Sequence, residues 1–237
     1  MIGIIGAMQV EVEDLFEKMQ DCKTETISGT TFYCGQLSGV PCVVAQSGIG
    51  KVAAAVCAQT MILRYAPDVI LCEGVAGGIG PNVHIGDLVI ATALVQHDMD
   101  TSALGDPVGY ISGLGMVQIP VPQALANAIA TFARDVYDGN LYQGIIATGD
   151  QFIADTQKLH EIADKFGAVA CEMEGGAIAQ TCCMAGVDCA VLRTISDNGD
   201  DGASVDFPSF ATQVAHKNTD LLMQILPHLA RQLEVAS

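Results

Sequence analysis

The sequence predicts an α/β fold, a three-layer sandwich with helices on both faces of a mixed, mostly parallel central sheet. Short and almost continuously apolar runs alternate with segments of helical period. Polar residues able to do chemistry stand just past the ends of those runs, where open α/β sheets bind ligands. The chain has 237 residues, half of them hydrophobic (50%) and 16% charged, with a mean hydropathy of +0.39. That reads as a single domain, 1–237, with a large core and helices covered on more than one face.

Ile2–Ile5, ending at Gly6, is a first buried strand. Val10–Met19 has helical period, with Val10, Leu15 and Phe16 inward and Glu13, Asp14 and Glu17 outward. Thr24–Gly35 and Gln36–Ala45 alternate and are rich in Thr, Val, Tyr and Cys, so they read as hairpin strands divided by Ser38-Gly39. Ser47-Gly48-Ile49-Gly50-Lys51 opens an alanine-rich helix reaching about Tyr65. Val69–Cys72 is a strand, Gly74–Gly80 a glycine-rich turn and Asp87–Val95 a longer strand. Pro122–Val136 is a helix with proline in its first turn. Ile145–Thr148, Val169–Cys171 and Cys189–Thr194 are strands, while Thr156–Phe166 and Gly175–Ala185 are helices. A last helix runs from about Phe207 to Glu234, with a bend expected near Pro227.

Composition narrows the partners. A formal net charge of −17 would repel nucleic acid but not a neutral nucleoside. The nine cysteines form no C-x-x-C pair and sit in apolar settings, which favours reduced thiols in a cytoplasm. Met1–Gly6 lacks the basic flank of a signal peptide, and no apolar run approaches the ~20 residues of a membrane span.

Glu172-Met173-Glu174, Arg193 and Ser196-Asp197 carry the chemistry. These charges fall in segments that otherwise read as buried, where charge is costly unless paired or used. Asp197 follows an apolar strand, so desolvation is expected to raise its pKa and let it protonate a departing purine. Alone, its Ser-Asp-Asn setting favours a turn or helix cap. Glu174 has two oxygens for the two hydroxyls of a ribose, or serves the dipole of the helix it opens. Glu11 either polarises a water or is a solvated helix residue like Glu13, and Arg193 either orients Glu11 or Glu172 or simply neutralises buried charge. Gly74–Gly78 and Ser47–Lys51 match no phosphate-loop pattern. His97 has no second histidine at ligand spacing and reads as a hydrogen-bonded strand-end residue.

Together, Gly3–Glu11, Ser47–Lys51, Gly149–Ile153, Glu172–Glu174 and Arg193–Asp197 resemble, in order, blocks of the 5′-methylthioadenosine/S-adenosylhomocysteine nucleosidases. The resemblance implies a nucleoside phosphorylase/hydrolase-like sandwich, usually a homodimer, with no cofactor and no metal. It makes Glu11 the base that activates water and Asp197 the acid at adenine N7. Met173 and Glu174 would hold the ribose, with Arg193 ordering the acidic cluster that includes Glu172. Phe152 would stack on adenine, the Ile153 backbone would read its edge, and Gly77 and Ser196 would lie beside the ligand. Ala7, Met8, Ile49 and Phe207 would line the pocket for the 5′ group, with Thr101 and Leu104 reaching in from the partner subunit. Two features are particular to this chain. Val75 stands where most relatives have a serine, which phosphorylases of the superfamily use for phosphate. Gln96–Leu104 is similar to a branch that also cleaves 6-amino-6-deoxyfutalosine in menaquinone synthesis.

Overall fold

The computed structural model describes residues 1–198 and 203–236. Its order is β1 (Ile2–Gly6), α1 (Gln9–Lys18), β2 (Gln20–Ile27), β3 (Thr30–Leu37), β4 (Val40–Gln46), α2 (Lys51–Tyr65) and β5 (Val69–Gly78). There follow β6 (Leu88–Gln96), a short 3-10 turn (Ser102–Leu104), β7 (Ile119–Pro120), α3 (Gln123–Val136) and β8 (Leu141–Thr148). The remainder is α4 (Thr156–Phe166), β9 (Ala168–Glu172), α5 (Gly175–Ala185), β10 (Asp188–Asp197) and α6 (Ala203–Ala236).

The strands form one mixed sheet in the order β10-β6-β8-β9-β5-β1-β4-β3-β2, with β7 on β6. A further β10–β5 pairing closes the first five into a ring. Helix α6 packs on α1 and α3 and lies against β10 and β5, while α2 packs on α5, which lies against β10, β6 and β8. Helices therefore cover both faces of the sheet. The core is aliphatic and continuous, from Ile4 and Ile5 on β1 through Ile70 and Leu71 on β5 to Leu226 on α6.

Four local expectations are corrected. The segment Gly74–Gly78 is strand, not turn. Glycine is a poor strand former, but β5 pairs with β10 along nearly its whole length, and that ladder holds it extended. Thr24–Gly35 is broken by a turn at Ser28-Gly29, which gives three antiparallel strands instead of two. Ser28-Gly29 and Ser38-Gly39 both have φ > 0 at each residue (52° and 82°; 49° and 77°), the twist that two-residue hairpin turns require. In α1 the buried face is Glu11, Val12 and Leu15, so Glu11 points inward where Val10 and Phe16 were expected to lead. The final helix begins at Ala203 and continues unbroken past Pro227.

One detail of β5 makes the site. On one edge Val69–Cys72 pairs with β1, but Gly77 and Gly78 pair with β9. Between these partners, residues 73–76 lack a strand on that edge, which leaves a gap in the sheet.

Candidate active site

Glu11 fills one side of that gap. Its Oε2 accepts from the backbone N–H groups of Ala7 and Met8 (both 2.8 Å), and its Oε1 accepts from Val75 N–H (3.1 Å). The N–H that β5 withholds from the sheet thus fixes a side chain. Gly74 makes this possible, because a Cβ there would stand 2.5 Å from Glu11 Oε1. Burial raises the Glu11 pKa above its ordinary value, against the opposing pull of Arg193 and the three N–H groups. The result is a more basic carboxylate held in one orientation.

Opposite it, the end of β10 brings in Asp197, 2% exposed, with the Ser196 hydroxyl donating to its Oδ2 at 2.9 Å. The end of β9 and the start of α5 supply Glu172 and Glu174. Glu172 is fully engaged. It accepts from Glu174 N–H (3.0 Å), Gly175 N–H (2.6 Å), Arg193 Nη2 (2.6 Å) and the Thr148 hydroxyl, so it caps α5 and anchors the guanidinium. Arg193 is buried and reaches Glu174 only at 4.0 Å. It forms no ion pair with Glu11, so of the two orientations open in the sequence the structure takes Glu172.

Glu174 is less encumbered. Its Oε1 accepts from Gly50 N–H (2.8 Å) at the start of α2. Burial first, then the charge of Glu172, push its pKa up to about 7. Most of its hydrogen-bonding capacity is open to a ligand.

These groups line one cavity of about 360 Å³, walled also by Ala7, Met8, Ile49, Val75, Gly77, Phe152, Met173, Ser196 and Phe207. Phe152 and Phe207 meet edge to face with ring centroids 5.6 Å apart. Ile153 lines a small recess that shares Phe152, Met173 and Asp197 with the main cavity. Arg193 stands behind the wall. Thr101 and Leu104 do not join the site within one chain. The Thr101 hydroxyl donates to Asp106, and Leu104 is 83% exposed.

Sequence reasoning missed Glu73, Ala76 and Cys171. The last two line the cavity as ordinary small residues with no sequence signal. Glu73 had one, a carboxylate inside an apolar strand. It is 1% exposed, and neither oxygen has a hydrogen-bond partner among the described residues. Asn218 faces it from α6 but commits its amide to the Gly74 carbonyl (3.0 Å). Burial, then the charge of Glu11, hold Glu73 well above the ordinary 4.5. A folded pKa above the unfolded one gives stability that is complete below the unfolded value and lost as pH rises through the folded one. Glu73→Gln lacks this titration, so its melting temperature relative to wild type is expected to climb as pH rises above the ordinary glutamate value of 4.5. A difference independent of pH would show that Glu73 ionises normally.

The fold and this cavity define the class of protein. A family model described as the phosphorylase superfamily matches residues 1–227. The nucleosidase of Shewanella loihica named for 5′-methylthioadenosine and S-adenosylhomocysteine is 38% identical over 229 residues, covering 96% of this chain and 99% of that one. The crystal structure of the Neisseria meningitidis nucleosidase of that name, with methylthio-immucillin-A, superposes with a TM-score of 0.90 at 34% identity, covering 94% of this chain and 97% of that one. A futalosine hydrolase mutant of Helicobacter pylori gives 0.91 at 34% identity, covering 95% and 98%. The chain belongs to the 5′-methylthioadenosine/S-adenosylhomocysteine nucleosidase family of the phosphorylase superfamily.

Proposed function

We propose that this chain hydrolyses the N-glycosidic bond of 5′-methylthioadenosine, S-adenosylhomocysteine and related 5′-substituted adenosines, releasing adenine. The observation that carries the reading is a pair of buried carboxyls, Glu11 and Asp197, on one nucleoside-sized cavity, the first fixed by three backbone N–H groups. Phe152 stacks on adenine, and the Ile153 backbone reads its edge. Met173 and Glu174 take the ribose. Met8, Ile49 and Phe207 receive the 5′ group.

As the C1′–N9 bond breaks, its electron pair moves into adenine and Asp197 delivers a proton to N7. The ribosyl carbon gains cationic character, which the surrounding carboxylates stabilise. Water adds to C1′ and gives its proton to Glu11. Water is the nucleophile because the site suits phosphate poorly. Val75 offers no hydroxyl, Arg193 is engaged by Glu172, and carboxylates crowd the place a dianion would need.

Glu174 makes binding pH-dependent. Only its ionised form accepts from both ribose hydroxyls, and with a pKa of about 7 that form is lost as pH falls. An unreactive adenosine-type inhibitor is expected to bind about tenfold more weakly per unit below pH 7. Glu174→Gln should bind it weakly and with a flat profile. A steep profile retained in the variant would assign the titration elsewhere.

The protein is proposed to act as a homodimer in the cytoplasm. Val52 (77% exposed) and Leu63 (78%) on α2 and Met184 (69%) on α5 border a groove of about 550 Å³. That is more apolar surface than a lone helix pair needs to show. A second copy would cover it and bring its Thr101 and Leu104 to the 5′ end of the cavity, beside Ile49. All nine cysteines are free thiols, in keeping with a reducing compartment. No helix of the described residues is long and apolar enough to cross a membrane.

A second reading, 6-amino-6-deoxyfutalosine as the main substrate, is favoured by the likeness to the H. pylori futalosine hydrolase. One panel separates the readings: kcat/KM for methylthioadenosine, adenosylhomocysteine, 5′-deoxyadenosine and aminofutalosine, with free adenine as readout. Methylthioadenosine and adenosylhomocysteine are expected to lead. Aminofutalosine in first place would promote the second reading, and no adenine from any of the four would refute both.

A further inference from the structure

Lys51 and the block Gln96–Asp100 still lack a role. The structure joins them. The Lys51 ammonium, at the first residue of α2, donates to Asp98 Oδ1 at 2.7 Å. The other oxygen of Asp98 accepts from Asp150 N–H at 2.9 Å. Asp150 Oδ1 in turn accepts from Lys51 N–H at 2.8 Å. Three hydrogen bonds thereby close a ring between the start of α2, the loop after β6 and the loop after β8.

Each arm of the ring leads to the cavity. Gly50, next to Lys51, holds Glu174 through its N–H. Phe152, two residues beyond Asp150, forms part of the cavity wall. Gly50 has φ +95°, and a Cβ there would stand 3.0 Å from Asp150 Oδ1, so the two segments are packed closely as well as bonded. Lys51 also donates to Gln96 Oε1 at 3.3 Å, and Gln96 donates to Gln180 Oε1 on α5 at 2.6 Å. The Lys51 and Asp98 side chains are only 19% and 18% exposed. Burial opposes the charge on Asp98, yet Lys51 and the Asp150 N–H hold its carboxyl below the usual range.

We propose that Asp98 is a positioning residue, whose carboxylate, shared between Lys51 and the Asp150 amide, latches the loop carrying Phe152 to the helix start that holds Glu174. This rests on the reading of Phe152 and Glu174 as the base and ribose contacts. With the latch closed, base and sugar are gripped in one geometry. With it open, the two grips move independently, and small misplacements of reacting groups cost up to about a hundredfold in rate.

The test is a double-mutant cycle with an activity-independent readout. Asp98→Asn and Lys51→Met are each expected to lower kcat/KM for methylthioadenosine by about 10- to 100-fold. The double variant should lose no more than the worse single one, because the pair acts as a unit. Lys51→Arg, which still supplies a cation, should recover most of the activity. Hydrogen exchange over residues 149–153 should quicken in Asp98→Asn, whatever nucleoside the enzyme prefers. The latch is overturned by single variants within threefold of wild type, by losses that multiply in the double variant, or by unchanged exchange over 149–153. A loss that tracks dissociation of the variant into single chains in sedimentation would also overturn it. Should wild type release no adenine while exchange still quickens, the latch stands and the proposed function fails.

Discussion

Asp197→Asn is expected to lower kcat by about 10²–10⁴ with the protein still folded, the range that general acid catalysis contributes. In barrier terms that is about 3–5 kcal/mol. The substitution keeps the shape of the side chain and can keep the bond from the Ser196 hydroxyl. What it removes is a proton that can be given away. An amide can donate a hydrogen bond to N7 but cannot transfer a proton, so substrate binding should change far less than turnover. The check is steady-state kinetics on methylthioadenosine beside a melting curve. Activity within a few-fold of wild type in a folded variant would remove Asp197 from the acid's role.

Glu11→Gln carries the second large effect, again about 10²–10⁴ in kcat. Here geometry suffers too. Both oxygens of Glu11 accept from backbone N–H groups, so a glutamine must turn its NH₂ toward one of those donors. Some stability should therefore be lost with the catalysis, about 1–3 kcal/mol for an unmet buried donor. Glu13→Gln, two residues along the same helix and half-buried, is the control and should leave turnover near wild type. Equal losses in the two variants would point to damage to α1 rather than to loss of a base.

Much of this was legible in the sequence because the cues were local. A charge set in an apolar run marks either pairing or chemistry, and Glu172, Glu174 and Arg193 do lie together under 10% exposure. Strand ends read from apolar runs placed Asp197 at the close of β10 and Glu172 at the close of β9. The illegible parts depend on long-range pairing. Nothing within Gly74–Gly78 says strand, since its extension comes from β10, more than a hundred residues later in the chain. Periodicity misjudged α1, because its inward face is set by Glu11 closing over Ala7, Met8 and Val75, not by its apolar residues alone. The ring of Lys51, Asp98 and Asp150 joins the start of α2 to two loops with which it shares no pattern.

The most direct measurement is methylthioadenosine cleavage in ¹⁸O-labelled water, with and without millimolar phosphate, the sugar product being resolved by mass. Attack by water gives free adenine and methylthioribose carrying ¹⁸O at C1′, at a rate that phosphate leaves unchanged. A phosphorylated sugar without the label, or turnover that requires phosphate, would contradict it.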